Sequence, residues 1–133
     1  MVRKSRKLSA LVVLVVEDDP PMRELIAAML KEIGFVWIRQ SGDGLEALLT
    51  IGEGGLPDII ICDIHMQPIN GMEFAVRLFA QHRLRIPILF LTGDARPEVV
   101  KLSEKINVAG FLLKPPNIDI LRSRILSAIS ENR

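Results

Sequence analysis

The sequence predicts an α/β domain, a doubly wound parallel sheet of five strands with five helices on its two faces. Three observations predict it. Short β-branched apolar runs alternate with amphipathic stretches along the whole chain, giving five βα units in a row. Most of those runs are continuously apolar, as strands covered on both faces are. The chain is also the right size: 133 residues, 49% of them apolar, fill a single core and are too apolar for disorder.

Taken in order, the first strand is Leu11 to Val16, and the helix after it has Asp19 as N-cap, Pro20 in its first turn and Gly34 as C-cap. Met22, Leu25, Ile26, Met29, Leu30 and Ile33 lie on one face of that helix. Val36 to Arg39 forms a shorter strand, followed by a helix from Leu45 to about Ile51. Ile59 to Cys62 is the third strand and Met72 to Ala80 the third helix. The fourth unit pairs Ile86 to Leu91 with a helix from near Pro97 to about Lys105. The fifth pairs Ala109 to Leu113 with a helix from Ile118 to about Ile129, capped by Asn117. There is no internal repeat, low-complexity segment or linker. Residues 1–10, opening "MVRKSRK", read as a solvated basic arm, residues 11–133 as the domain, and no output domain is expected after the fifth helix.

Seventeen basic residues against sixteen acidic leave a net charge of +1, so the chain as a whole has no pull toward nucleic acid or membrane, and partners must be recognised locally. Its longest apolar run, "LSALVVLVV", is far short of the ~20 residues that cross a bilayer, and no small-residue cleavage site follows it. A single cysteine, Cys62, cannot form an internal disulfide. A cytoplasmic location follows.

Ligands in such sheets gather at the carboxyl ends of the strands, beside the point where strand order reverses. Strand one ends in "EDD" (Glu17, Asp18, Asp19), strand three in Asp63, strand four in "LTGD" with Thr92, and strand five in "LLKPP" with Lys114. Asp63 stands at the tip of an apolar run, "DIIICDIHMQPING", and an acid there is either a strand-end cap or the point where chemistry happens. Converging carboxylates repel by roughly 1 to 4 kcal/mol per pair at ~4 Å. A hard divalent cation offsets that repulsion, and Mg²⁺ suits one or two carboxylates together with phosphate oxygens. Zinc fits poorly, because Cys62 should point away from Asp63 and because His65 and His82 lack a ligand-like spacing. Mg²⁺, a carboxylate, a hydroxyl and a lysine together can hold a phosphoryl group, with Asp63 as its acceptor.

The ordered set "VLVVEDDPPMREL", "PDIIICDIHMQPINGMEF", "IPILFLTGD" and "GFLLKPP" resembles the receiver domain of two-component response regulators, the family of the bacterial chemotaxis regulator, from about Leu11 to Ile129. The resemblance implies a flavodoxin-like sheet of order 2-1-3-4-5. It implies Asp63 as phosphoacceptor and metal ligand, Asp18 as a direct Mg²⁺ ligand, Glu17 acting mainly through water, and the His65 backbone carbonyl as a further ligand. Thr92 matches the hydroxyl that moves toward the phosphoryl group, Lys114 the cation that pairs with it, and Phe111 the aromatic that switches with Thr92. It also implies a cis Lys114-Pro115 bond. One departure is the Gln67-Pro68 that stands where the family has a proline directly after the methionine. His65 and Asp94 occupy variable positions beside the phosphoryl site, where they would tune the lifetime of the acyl phosphate, and Gly93 leaves that side open.

The implied role is a phosphoacceptor of a two-component or phosphorelay system, taking a phosphoryl group from a sensor histidine kinase or histidine phosphotransfer protein. It would act as a switch promoting its own phosphotransfer and autodephosphorylation, not as a conventional enzyme. Its output would be a target protein bound on the face of the fourth helix, fifth strand and fifth helix, with a phosphorylation-dependent homodimer as a further outcome. A receiver-like scaffold that works without phosphorylation is the alternative. A haloacid-dehalogenase-type phosphatase needs a second acid where His65 stands, and a flavodoxin-type FMN carrier needs a Ser, Thr and Gly loop where "EDDPP" stands.

Overall fold

The structure is a computed structural model and describes residues 7–82, 86–93 and 108–131. The first element is a single 3-10 turn, Leu8–Ala10, which the sequence assigns to the arm; Leu8 packs against the core. The strands are β1 (Val12–Val16), β2 (Trp37–Ser41), β3 (Ile59–Asp63), β4 (Ile88–Thr92) and β5 (Val108–Leu113). They form one parallel sheet of order β2-β1-β3-β4-β5, the order the resemblance implied. The described helices are α1 (Pro20–Ile33), α2 (Gly44–Gly54), α3 (Gly71–His82) and α4 (Ile118–Glu131). The helix expected from Pro97 to Lys105, and Asp94 with it, lies outside the described residues.

Alternation along the strands splits the core into two layers. Leu14, Val16, Ile60, Cys62, Ile88 and Phe90 face α2 and α3, where they meet Ala47, Leu48, Ile51, Phe74, Ala75 and Leu78. Val13, Val15, Ile59, Ile61, Leu89 and Leu91 face the other way, onto Ile26 and Leu30 of α1 and Leu121, Ile125 and Ala128 of α4. The three central strands are thus covered on both faces, as their unbroken apolar runs require. Strand β2 differs. It lies at the sheet edge, begins at Trp37 and not at the expected Val36, and runs two residues beyond the expected Arg39; Val36 and Trp37 are mostly exposed. Leu25, expected on the buried face of α1, is also solvent-exposed; the apolar face narrows to Ile26 and Leu30, flanked by partly buried Met22, Met29 and Ile33.

The caps follow side-chain chemistry. Asp19 Oδ2 accepts from the Met22 N–H, Asp43 Oδ1 from Glu46, Asn70 Oδ1 from Glu73, and Asn117 Oδ1 from Asp119 and Ile120. Helix α2 continues to Gly54, beyond the expected Ile51; the Gly55 N–H closes on the Ile51 carbonyl, and Arg39 of β2 donates to the carbonyls of Thr50 and Gly55 beside that end.

Two glycines position the site. Gly71 opens α3 with its N–H on the Ile64 carbonyl at 2.8 Å, and a Cβ there would collide with the Asp63 carbonyl oxygen. Gly110, at φ +151°, sits where the β4–β5 register slips: Ile88 pairs with Val108 but Leu89 with Gly110. That extra residue sets Phe111 beside Phe90 and Leu113 beside Thr92, so that Lys114 follows directly at the carboxyl edge.

Candidate functional site

Four strand ends converge at the carboxyl edge of the sheet. Asp63 is the last residue of β3 and Thr92 the last of β4, while Glu17 and Lys114 directly follow β1 and β5. Lys114 Nζ lies 2.9 Å from Asp63 Oδ2 and 3.1 Å from Glu17 Oε1, bridging the two acids. The Lys114 backbone N–H donates to the Thr92 carbonyl at 2.9 Å, tying the lysine to the end of β4. The other oxygen of Asp63, Oδ1, accepts the His65 N–H at 3.2 Å. Glu17, Asp63 and Thr92 are buried, whereas Asp18 and His65 are exposed. Phe111 is partly buried and stacks on Phe90 with ring centroids 5.7 Å apart and planes 22° apart. Both Gln67-Pro68 and Lys114-Pro115 are cis.

The pocket carries excess negative charge. Glu17, Asp18 and Asp63 each present a carboxylate oxygen within 4.8 Å of the others, and among the described residues the ammonium of Lys114 is set against them. Burial raises the Glu17 carboxyl above its ordinary 4.5, and the charge of Asp63 adds to the rise while the bond from Lys114 opposes it. Burial disfavours the Lys114 ammonium, but its bonds to Asp63 and Glu17 outweigh that and raise its pKa, so it is a cation at neutral pH. Glu17 Oε2 is buried with no hydrogen-bond partner, an acceptor that a cation would satisfy. An all-oxygen set with an orphaned carboxylate oxygen fits Mg²⁺. Thiolate ligation does not fit: Cys62 turns into the α2–α3 core, and burial pushes its thiol well above the ordinary value.

The raised Glu17 carboxyl has a measurable consequence. A pKa raised on folding contributes stability that is fully present below the unfolded value and lost as pH rises through the folded one. At neutral pH the ionised Glu17 therefore costs stability in metal-free protein. Glu17→Gln, which keeps an acceptor for Lys114, is expected to melt at or above the wild-type temperature at pH 7 in chelator, the advantage vanishing as pH falls toward 4.5. A variant less stable at pH 7 than at pH 4.5, relative to wild type, contradicts this.

The sequence profile of the response regulator receiver domain matches residues 13–126. The chain belongs to that family. Over 114 residues the receiver is 27% identical to the chemotaxis protein CheY of Pseudomonas aeruginosa, an alignment covering 85% of this chain and 91% of the relative. A Vibrio cholerae CheY4 crystal structure matches with TM-score 0.81 and 29% identity, over 90% of this chain and 99% of that one. The response regulator TrrA of Thermotoga maritima, in complex with Mg²⁺-BeF, matches with TM-score 0.76 and 29% identity, over 89% and 98%. Receiver domains are signalling modules that work with histidine kinases or phosphotransfer proteins and with downstream targets. Among the described residues, no helix is long and apolar enough to cross a membrane.

Of the residues singled out in the sequence, the receiver brings Glu17, Asp18, Asp63 and Lys114 together around one pocket. Thr92 stands at the neighbouring strand end, and Phe111 lies behind, on the α2–α3 face. Gly93 opens to solvent, with nothing within 4 Å of a Cβ built on it. Sequence reasoning missed Gly71 and Gly110. An isolated glycine inside an apolar strand signals a bulge, so Gly110 could have been found. Gly71 carries no such signal, since its role depends on where the chain returns to Asp63.

Proposed function

We propose that this receiver accepts a phosphoryl group on Asp63 from a phosphohistidine donor, a sensor kinase or histidine phosphotransfer protein in the cytoplasm, and thereby switches a protein-binding face. One observation carries the reading: a buried carboxylate at the tip of β3 has an ammonium 2.9 Å away and two further acids beside it. In the transfer an Asp63 oxygen attacks phosphorus in line, the O–P bond forms, and the P–N bond to the donor imidazole breaks. The imidazole leaves with the electron pair and is protonated from solvent. Lys114 then pairs with an oxygen of the acquired phosphoryl group, and the Thr92 hydroxyl donates to another. Autodephosphorylation is attack by water on the same phosphorus, with the Asp63 carboxylate as leaving group.

Asp18, Asp63 and the His65 carbonyl would hold Mg²⁺ directly, and Glu17 through water. When bound, Mg²⁺ neutralises charge on the phosphoryl oxygens. The Mg²⁺-BeF complex of the similar Thermotoga maritima regulator supports this reading. The switch would run from Thr92 to Phe111, whose stack on Phe90 gives it a defined resting position. The target face is that of the helix expected over 97–105, β5 and α4, where Leu113, Ile120 and Leu126 are exposed. A phosphorylation-dependent homodimer would use the same face.

Incubation with a small-molecule phosphodonor, followed by intact-mass measurement, tests the proposal. One Mg²⁺-dependent, alkali-labile phosphoryl adduct is the expected result. No adduct in protein that still binds Mg²⁺ would instead favour a phosphorylation-independent scaffold, with the Gln67-Pro68 loop as the first suspect.

A further inference from the structure

The backbone of Glu17 is held on both sides from outside the acidic pocket. The Glu17 N–H donates to the Ser41 carbonyl of β2 at 3.1 Å, and the Glu17 carbonyl accepts from Arg23 Nη1 at 2.8 Å. Arg23 sits on the first turn of α1, and its own N–H donates to the Asp19 carbonyl at 2.9 Å. Its guanidinium crosses over the turn after β2, so that a Cβ built on Gly42 would lie 3.5 Å from Nη1. A carbonyl and the following N–H share one rigid plane. Fixing the Glu17 oxygen therefore fixes the direction in which the chain enters Asp18, the exposed acid with no β-ladder to hold it.

We infer that Arg23 is a positioning residue for the metal site: it touches neither ion nor phosphoryl group, and holds the Glu17–Asp18 peptide so that both carboxylates present to one cation. The inference rests on the Mg²⁺ reading of the pocket. Loss of groups that orient metal ligands typically costs about 10- to 100-fold in affinity. The charge of Arg23 acts in the opposite sense. Removing a cation near an acidic pocket by itself tightens Mg²⁺ binding. The sign of the change therefore separates a positioning role from a purely electrostatic one.

Arg39 provides the control. It too donates from a partly buried guanidinium to backbone carbonyls, those of Gly55 and Thr50, but at the far end of α2. The experiment is calorimetric titration of MgCl₂ into metal-free full chain for wild type, Arg23→Ala, Arg23→Met, Arg23→Lys and Arg39→Ala, with melting temperatures measured in chelator. Arg23→Ala is expected to raise the Mg²⁺ Kd about tenfold, Arg23→Lys less, and Arg39→Ala less than twofold whatever its loss in melting temperature. Adduct formation by Arg23→Ala should approach the wild-type rate once Mg²⁺ saturates. An unchanged or lower Kd in Arg23→Ala overturns the inference, as does an equal rise in Arg39→Ala. If Arg23→Ala does not fold, an unchanged or lower Kd in Arg23→Met, which keeps the apolar stem but cannot donate to the Glu17 carbonyl, overturns it as well. A wild-type protein that takes up no Mg²⁺ refutes the underlying reading of the pocket, an outcome separate from these.

Discussion

Asp63→Asn is expected to abolish the phosphoryl adduct while leaving the fold standing. The amide has the shape of the carboxylate but does not attack phosphorus, and its one oxygen can accept either the His65 N–H that Oδ1 holds or the Lys114 ammonium that Oδ2 holds, not both. The metal-free variant should melt at or above the wild-type temperature. It loses one of three clustered carboxylates, and with it a charge that raises the Glu17 carboxyl, while Lys114 keeps its bond to Glu17 Oε1. Mg²⁺ should then stabilise the variant less than the wild type, for which saturation at a hundredfold excess over Kd is worth about 2.7 kcal/mol. Melting with chelator and with Mg²⁺, together with intact mass, checks both halves. An undiminished adduct on the variant moves the acceptor to another residue.

Lys114→Met is expected to be severe in two independent ways. Adduct formation should slow by about 10²- to 10³-fold, the usual cost of removing one preorganised group aimed at charge that develops in the transition state. In metal-free protein the variant should also lose on the order of 3 to 5 kcal/mol of stability, because Glu17 and Asp63, both almost fully buried, lose their shared cation. Part of that loss should return on adding Mg²⁺, and part at low pH, where Glu17 takes up a proton more readily still. Urea midpoints at pH 7 with and without Mg²⁺ separate these contributions. A wild-type rate in this variant removes Lys114 from the mechanism.

Most of this pocket is legible in the sequence because strand ends are. An unbroken apolar run that stops at Glu17, Asp63 or Thr92 announces where the strand leaves the core, and parallel strands all stop at the same edge. Two helix starts are legible for a similar reason: Asp19 and Asn117 carry short acceptors that the first turn needs. Pairing between elements is not written in either pattern. The lone glycine in "VAGFLL" signals a bulge, but only the pairing with β4 decides that Phe111, and not its neighbour, stacks on Phe90. Edge position is equally hidden: "VWIR" looks like a buried strand, yet β2 has a partner on one side only and leaves Trp37 to solvent. Arg23 reads as an ordinary helix-surface arginine until α1 is packed against the end of β1, where its reach to the Glu17 carbonyl first exists.

The mechanism turns on the phosphoryl group residing on Asp63. The direct measurement is borohydride reduction of the phosphorylated protein followed by peptide mapping, since reduction of an aspartyl phosphate leaves homoserine at the modified position. Homoserine at position 63, formed only when phosphodonor and Mg²⁺ were both present, is the predicted result. Homoserine at position 18, or a stable phosphoryl group mapping to a serine, threonine or histidine, would contradict it.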